Sequence, residues 1–313
     1  MTTSAAASLT KLRENVGLAY RGDVRAVDLL LTALLSRGHV LIEDVPGVGK
    51  TTLARALGRS LALDFRRIQF TSDTLPADVI GISVFHAPSD RFEFHPGPIF
   101  ANIVLADEIN RATPKTQSAL LEAMNEGSVT VESDRRILPQ PFMVVATQNP
   151  VEYLGTYPLP ESQMDRFFLR LSLGYPAEEE EKMLLRRGGT ERVLAAIPSV
   201  LSPDEVLALQ DSAEKIVVAD RLLDYVQGLV RATRQTSELR LPVSTRGAQA
   251  LYRAVQSHAL LHGRTYATPD DVHAVAESVL AHRILSISSD GFGAGGRERE
   301  IVRKILAQVP VPV

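Results

Sequence analysis

The chain has 313 residues, a formal net charge of −3, 45% hydrophobic residues and 23% charged residues. This composition fits one large or two smaller globular domains, and the slight negative charge argues against a general nucleic-acid binder. The absence of cysteine excludes disulfides and thiolate metal sites and is compatible with the cytoplasm, which is the location we expect.

The first predicted elements are two helices within residues 9–36. Apolar residues recur at helical spacing before and after Gly22, so we place a break at this glycine. The apolar stretch at residues 27–35 is interrupted by Asp28 and Thr32, and it is far shorter than the ~20 residues that a spanning helix needs. We therefore expect no membrane segment.

A glycine-rich loop follows a predicted strand at residues 40–42 and precedes a predicted helix. Such a loop points backbone N–H groups at phosphate oxygens, while Lys50 can reach the outer phosphates and Thr51 can hold Mg²⁺. One position departs from the usual pattern, because Asp44 stands where a glycine is expected. Together with an aspartate further along the chain, the expected binding residues are Pro46, Gly47, Val48, Gly49, Lys50, Thr51, Thr52 and Asp107.

Asp107 and Glu108 follow the apolar run at residues 103–106. An aspartate at the tip of a buried strand can orient Mg²⁺ through water, and the next residue is placed to polarise an attacking water molecule. Neither the loop nor the acidic pair is specific alone. Together they predict a protein that binds and hydrolyses a nucleoside triphosphate.

Short apolar runs alternate with helical patterns, which indicates an α/β core with a parallel sheet. The expected strands are residues 40–42, 65–70, 103–106, 142–146 and 167–171. Asn149 follows the fourth strand. Ligands bind outside the carboxyl ends of parallel strands, so this amide should lie near the γ-phosphate and orient the water if its strand neighbours that of Asp107.

Two arginines are further candidates. Arg166 lies just before the fifth predicted strand, and Arg246 opens an amphipathic helix. A permanently charged, fork-shaped side chain can stabilise a transferring phosphoryl group of the same or a neighbouring chain. Proline, acidic and basic signals predict a helix that has Pro176 in its first turn and ends at Arg187, and Ser/Thr-Pro helix starts predict an all-helical second domain from about residue 200.

Other site classes have weaker support. His258 and His262 have the spacing of a zinc pair, but the sequence offers no third ligand, and we interpret them as part of a polar helix face. Serines such as Ser162 lack nucleophile-elbow glycines. There is no Asn-Lys-x-Asp element for guanine, which disfavours a GTPase.

The chain closely resembles the MoxR family of AAA+ ATPases over nearly its whole length. The resemblance is carried by residues 39–51, 94–100, 106–112, 146–150 and 266–272. It implies an αβα core with a five-stranded parallel sheet and inserted β-hairpins near 81–94 and 128–138, followed by a smaller all-helical lid. We expect the core at 1–187, with a helical segment at 9–36 and the nucleotide-binding core at 37–175, and the lid at 188–313.

The resemblance also implies roles for individual residues. Lys50 and Thr51 would contact ATP and Mg²⁺, Asp107 and Glu108 would serve the metal and the water, and three further residues would act as sensor 1 (Asn149), arginine finger (Arg166) and sensor 2 (Arg246). One departure concerns the adenine contacts, because Tyr20-Arg21-Gly22 replaces the family's usual Ile/Val-Val-Gly.

The resemblance implies a chaperone-like ATPase that forms a homo-oligomeric ring, a hexamer, and acts on protein complexes beside a von Willebrand factor A domain protein. Two alternatives stay open: the motor subunit of a metal chelatase, and a nucleotide-gated scaffold without significant hydrolysis. The first insert carries Phe85, Phe92 and Phe94. We expect its tip to contact a client or partner, because exposed aromatic rings supply contact area at low entropic cost.

Overall fold

A computed structural model of the chain describes residues 2–132, 134–149, 155–187, 190–288 and 296–312. Pro150, which belongs to one of the segments that carry the family resemblance, and residue 188, where the lid was predicted to begin, lie outside these ranges. The expected domain boundary therefore stays a prediction.

The strands form one parallel sheet and three small antiparallel sheets within the described ranges. They are β1 (Val40–Glu43), β2 (Phe65–Gln69), β3 (Gly81–His86), β4 (Arg91–Pro96), β5 (Ile103–Asp107), β6 (Ser128–Val131), β7 (Asp134–Ile137), β8 (Met143–Gln148), β9 (Leu169–Leu171), β10 (Leu239–Leu241) and β11 (Leu285–Ser286). The parallel sheet has the order β2-β5-β8-β1-β9. All five of its strands were predicted. The strand that ends in Asp107, β5, pairs with β8, which precedes Asn149, so the condition set for the role of this amide is met.

The helices cover both faces of this sheet and continue into the lid. They are α1 (Thr2–Ala19), α2 (Val24–Leu35), α3 (Lys50–Ser60), α4 (Pro76–Ile80), α5 (Pro114–Glu126), α6 (Glu161–Met164), α7 (Glu178–Arg187), α8 (Glu191–Ala196), α9 (Pro203–Ala213), α10 (Asp220–Gln235), α11 (Thr245–Leu261), α12 (Pro269–Leu280) and α13 (Gly296–Gln308). The break between α1 and α2 falls at the predicted place. A Cβ on Gly22 would lie 2.1 Å from the hydroxyl oxygen of Tyr20, so a larger residue here would displace the Tyr20 side chain.

Alternating side chains of the buried strands feed two hydrophobic clusters among the described residues. Val40 and Ile42 of β1 face the cluster that includes α1, α2, α3 and the lid helices, whereas Leu41 faces the cluster that includes α5. All three side chains are fully buried. This burial on both faces explains the near-continuous apolar runs of the central strands.

Both predicted hairpins are present, as β3–β4 and β6–β7. In the first, the rings of Phe85 and Phe92 contact each other at 5.4 Å and are 50% and 69% exposed. Phe94 instead packs edge-on against Phe100, and the Arg136 guanidinium lies 3.9 Å above its ring. Phe94 therefore anchors the first hairpin to the second, while the other two phenylalanines stay accessible.

The C-terminal region is helical, as predicted, but it also contains the two-stranded sheet β10–β11, which the sequence analysis did not predict. The lid is fixed to the core near the start of β9. Arg283 is buried, forms an ion pair with Asp165 at 2.8 Å, and donates to the carbonyl oxygens of Phe167 and Phe168. This contact ties the lid to the segment that carries Arg166.

Candidate functional site

The glycine-rich loop joins the carboxyl end of β1 to the first turn of α3. Gly47 and Gly49 have φ angles of 89° and 94°, values that favour glycine, and Gly49 is the N-cap of α3. No atom lies within 4 Å of the position that a Cβ on Gly47 would occupy. The N–H groups of Lys50, Thr51 and the next residue, Thr52, lie in the first helical turn, where intrahelical acceptors are absent. An open loop at a helix N-terminus suits a phosphate group.

The other two loop residues form its wall. Val48 is buried and packs in the core, whereas Pro46 is exposed. Tyr20 covers the loop from the N-terminal side, because its ring atoms lie 3.5–3.6 Å from the position of a Cβ on Gly49. Burial, together with Asp23 and Asp44, raises the pKa of Tyr20 to about 12, so its hydroxyl keeps its proton at neutral pH.

Asp44, the departure from the usual loop pattern, has a structural reason. Its Oδ2 accepts hydrogen bonds from Ser172 Oγ and from the backbone N–H groups of Leu173 and Gly174, at 2.7–3.0 Å. Its Oδ1 accepts from the N–H of Val45 at 2.8 Å. Burial alone would raise the pKa of this carboxyl, but the hydrogen bonds prevail and hold the pKa below its ordinary value. Asp44 thus ties the start of the loop to the end of β9.

Lys50 lies at the centre of the loop. Its Nζ donates to the backbone oxygens of Asp44 and Gln148. Burial lowers the pKa of Lys50, while the nearby charges of Asp44, Asp107 and Glu108 partly oppose this shift. The lysine therefore lies within electrostatic reach of both carboxylates that the sequence singled out.

Asp107 and Glu108 meet at the hydroxyl of Thr147, a residue that the sequence analysis did not single out. Thr147 Oγ1 donates to Asp107 Oδ1 at 2.6 Å and accepts from the backbone N–H of Glu108 at 2.9 Å. Glu108 adopts a left-handed conformation with φ of 58°, which is costly for a residue other than glycine. This conformation turns the chain sharply at the end of β5. The Thr147 hydroxyl stabilises the turn because it is hydrogen-bonded to both Asp107 and Glu108.

The edge strand β2 supplies two more contacts that the sequence analysis missed. Arg67 donates to Asp107 Oδ2 through Nη2 at 2.6 Å and Nε at 3.1 Å, and Gln69 donates to Glu108 Oε2 at 2.9 Å. Arg111 forms an ion pair with the same Glu108 oxygen at 3.0 Å. A polar alternation on an edge strand, Arg67 and Gln69 around buried Ile68, is the signal that could have identified them.

Asn149 is buried and comes directly after β8, whose neighbours in the sheet are β1 and β5. It therefore lies at the same edge of the sheet as the loop, Asp107 and Glu108. The preceding residue, Gln148, donates its side-chain amide to Glu43 Oε1 at 2.6 Å, and Glu43 forms a buried ion pair with Arg170 at 3.0 Å. These contacts fix the backbone around Asn149.

Arg166 and Arg246 lie at the opposite, amino edge of the sheet. The residue before β1, His39, contacts the Met124 carbonyl oxygen at 2.9 Å and accepts from the N–H of Val144, so the end of α5 lies at this edge. Arg246 Nη2 donates to Asn125 Oδ1 at 2.5 Å, next to Met124.

Arg166 belongs to the same edge, because Phe168, two residues later, donates its N–H to the His39 carbonyl oxygen at 2.7 Å. It lines a surface cavity of about 490 Å³ with Arg135, Glu122 and Glu126. The structure thus brings together Lys50, Thr51, Asp107, Glu108 and Asn149, and it leaves both arginines outside that group.

The two histidines considered as a zinc pair have other contacts. His258 Nδ1 lies 2.6 Å from Asp271 Oδ1, and His262 Nδ1 lies 2.9 Å from the carbonyl oxygen of His258. Among the described residues, no group of three or more His, Asp or Glu side chains is placed to hold a metal ion. In the same part of the chain, no helix combines the length and apolar character needed to cross a bilayer.

Family models match both halves of this architecture. The model for the ATPase family associated with various cellular activities (AAA) matches residues 39–169, and that for the AAA lid domain matches residues 231–305. The first range lies within the expected core and the second within the expected lid. The first begins at His39, before β1, and ends at the start of β9.

Similar proteins cover nearly the whole chain. Chaperone MoxR1 of Mycobacterium tuberculosis is 39% identical over 93% of this chain and 79% of its own length. Protein MoxR of Paracoccus denitrificans is 33% identical over 93% and 92%, and the uncharacterized protein YeaC of Bacillus subtilis is 48% identical over 97% and 95%. A crystal structure of a candidate ATPase from Cytophaga hutchinsonii superposes with a TM-score of 0.89 at 35% identity, covering 100% of this chain and 97% of its own.

Proposed function

Because the chain belongs to the MoxR family of AAA+ ATPases, we propose that it hydrolyses Mg²⁺–ATP and uses the cycle to remodel protein complexes. One observation carries the proposal: the open loop with Lys50, which follows β1, and the carboxylates of Asp107 and Glu108 at the end of β5 lie at the same edge of the parallel sheet, on either side of β8. Family membership supports the same activity.

The loop would bind the triphosphate. Backbone N–H groups from Gly47 to Thr52 contact the phosphates, and Lys50 exchanges its two carbonyl acceptors for phosphate oxygens. The Thr51 hydroxyl and, through water, Asp107 form an all-oxygen donor set that fits Mg²⁺. When bound, Mg²⁺ supplies positive charge that neutralises the phosphate oxygens.

Glu108 would act as the general base. Its two described side-chain contacts, from Gln69 and Arg111, both fall on Oε2, so we assign Oε1 to the attacking water. Asn149 at the end of β8 would orient this water. Glu108 accepts the proton as the water oxygen attacks the γ-phosphate, and ADP leaves with the electrons of the broken P–O bond.

The two arginines would act on a neighbouring chain. Both lie across the sheet from the phosphate loop of their own chain, and an arginine finger must contact the transferring phosphoryl group. A homo-oligomeric ring, which we propose to be a hexamer, would bring the amino edge of one chain to the carboxyl edge of the next. This arrangement assigns Arg166 as the finger and Arg246 as sensor 2, both in trans.

The client side of the proposal rests on the first hairpin and on the family. Phe85 and Phe92 form an exposed aromatic pair across β3 and β4, and such pairs supply binding area at low entropic cost. We propose that this pair contacts a client complex or a partner with a von Willebrand factor A domain.

Turnover of ATP by the purified chain, with Mg²⁺ and with EDTA, tests the activity. We expect Mg²⁺-dependent release of phosphate that Glu108→Gln removes. The matched control is Glu300→Gln, which deletes the same charge on the surface of α13, where Glu300 pairs with Arg297. Equal turnover by the parent and Glu108→Gln would refute the assignment of the base, and absence of turnover in every assembly state would favour a nucleotide-gated scaffold.

A further inference from the structure

Arg67 is hydrogen-bonded to the carboxylate of Asp107, which the proposed function assigns to Mg²⁺ binding. Two of its nitrogens donate to Asp107 Oδ2, at 2.6 and 3.1 Å, while Thr147 donates to Oδ1 at 2.6 Å. Both oxygens of Asp107 therefore accept hydrogen bonds from side chains of this chain. The donor to Oδ2 is a guanidinium, which carries a full positive charge. Such charge-assisted contacts are the stronger class of hydrogen bond.

The position of Arg67 in the sheet favours a reversible contact. It lies on β2, the edge strand, opposite Leu105 of β5, and its side chain is 49% exposed, whereas that of Asp107 is 14% exposed. Nη2 also donates to Gln69 Oε1 at 2.7 Å, which holds the guanidinium beside the carboxylate. The side chain can move into solvent without opening the core, because the β2 residues that pack in the hydrophobic clusters are Phe65 and Ile68.

A divalent cation beside Asp107 would meet this guanidinium. Like charges a few ångströms apart repel each other, and a donor on Oδ2 reduces the ability of that oxygen to accept from metal-bound water. We propose that Arg67 is a positioning residue that holds Asp107 in the metal-free state and competes with Mg²⁺, so that it sets the Mg²⁺ concentration that the chain requires. The inference rests on the proposed function, since it assumes Mg²⁺–nucleotide binding at this loop.

The sign of the effect distinguishes competition from simple support. An arginine that competes lowers Mg²⁺ affinity, so its removal lowers the Mg²⁺ concentration at half-saturation. An arginine that only orients Asp107 for the metal does the reverse. The contact is half-exposed, which limits the expected change to roughly 2- to 5-fold.

The experiment measures binding rather than turnover. A fluorescent, non-hydrolysable ATP analogue is bound to the full chain, and Mg²⁺ is titrated from an EDTA-buffered start. Arg67→Met should lower the half-saturating Mg²⁺ concentration, while Arg67→Lys, which keeps the charge, should stay within about twofold of the parent. The matched control is Arg66→Met, which deletes the same charge on the same strand, where Arg66 pairs with Asp64 at 3.5 Å; it should leave the titration unchanged.

An unchanged or raised Mg²⁺ requirement in Arg67→Met overturns the inference and leaves the proposed function intact. An equal fall in Arg66→Met also overturns it, because net charge alone would then explain the result. If Arg67→Met does not fold, Arg67→Gln carries the same expected fall. A parent chain that binds no nucleotide at any Mg²⁺ concentration overturns the proposed function itself, and this inference with it.

Discussion

The placement of Arg166 predicts that two inactive variants restore activity when they are mixed. Arg166→Ala removes the proposed finger, and Glu108→Gln removes the proposed base of the same chain. If the finger serves the neighbouring site, an interface between the two variants can combine an intact Glu108 from one chain with an intact Arg166 from the other. Each variant alone lacks one group at every interface.

The sheet sets the size of the effect. The first and last Cα atoms of the six-residue strand β8 (Met143–Gln148) are five steps of ~3.3 Å apart, about 16 Å, which separates the two edges by more than an arginine side chain can bridge. Loss of a finger lowers turnover by roughly 10³- to 10⁵-fold, so each pure variant should be nearly inactive. Random mixing at equal amounts leaves about one quarter of head-to-tail interfaces intact, whatever the ring size.

The assay is phosphate release after the variants are mixed under conditions that exchange subunits, with exchange confirmed by two fluorescent labels. Arg246 provides the decisive control, because it lies on the same edge as Arg166. A mixture of Arg246→Ala with Glu108→Gln should also recover activity. A mixture of Arg166→Ala with Arg246→Ala should not, since neither chain presents both arginines to its neighbour.

No recovery at any ratio, with exchange confirmed, would refute the trans assignment. Recovery in the mixture of the two arginine variants would show that Arg246 and Arg166 serve different sites. In that case the observed contact between Arg246 and Asn125 would have to break, so that Arg246 reaches its own phosphate loop.

Glu108→Gln is expected to keep ATP binding and to slow turnover by about 10²- to 10⁴-fold, measured by nucleotide titration beside an ATPase assay; parent-like turnover would contradict the role. Lys50→Ala should lose ATP binding in the same titration, and unaltered affinity would exclude it from the phosphate site. Changing Phe85 and Phe92 to serine should preserve basal turnover and ring assembly. In a chain that also carries Glu108→Gln, and therefore keeps ATP bound, the same change should abolish capture of a von Willebrand factor A domain protein; lost assembly would instead show that the pair has a structural role. Burial lowers the pKa of His39 to about 4, below its value of about 6.5 in the unfolded chain. The stabilisation that neutral, buried His39 contributes should therefore be fully present above pH 6.5. The free energy of unfolding should decline by about 3 kcal/mol as the pH falls to 4, because the unfolded chain binds the proton first. In urea titrations, the free energies of unfolding of the parent and of His39→Gln should then converge at low pH, and a pH-independent difference would refute this.

The central strands β1, β5 and β8 were predictable because each is a nearly continuous apolar run. The glycine loop could be located from the order of strand, loop and helix around it, and Asp107 from the apolar run at residues 103–106 that it ends. The strands β10 and β11 could not, since three and two residues are too few to show alternation, and their pairing joins segments more than 40 residues apart.

Contacts between the site residues also depended on sheet order, which the sequence does not state. Arg67 reaches Asp107 because β2 pairs with β5, and Asp44 reaches residues 172–174 because β9 pairs with β1. The separation of Arg166 from Lys50 is likewise a property of strand direction. An arginine in the sequence does not by itself indicate at which edge of the sheet its side chain will lie.

The split between the two edges has a consequence for how the protein would be regulated. A lone chain holds the groups that bind ATP, but its arginines have no neighbouring site to act on. The turnover per molecule would therefore rise with the concentration of the chain, whereas the affinity for ATP would not change. Dilution should therefore lower the turnover per molecule without changing nucleotide affinity. The chain would then have a threshold concentration in the cell. Below it the chain would bind ATP without significant hydrolysis, and above it the chain would hydrolyse ATP.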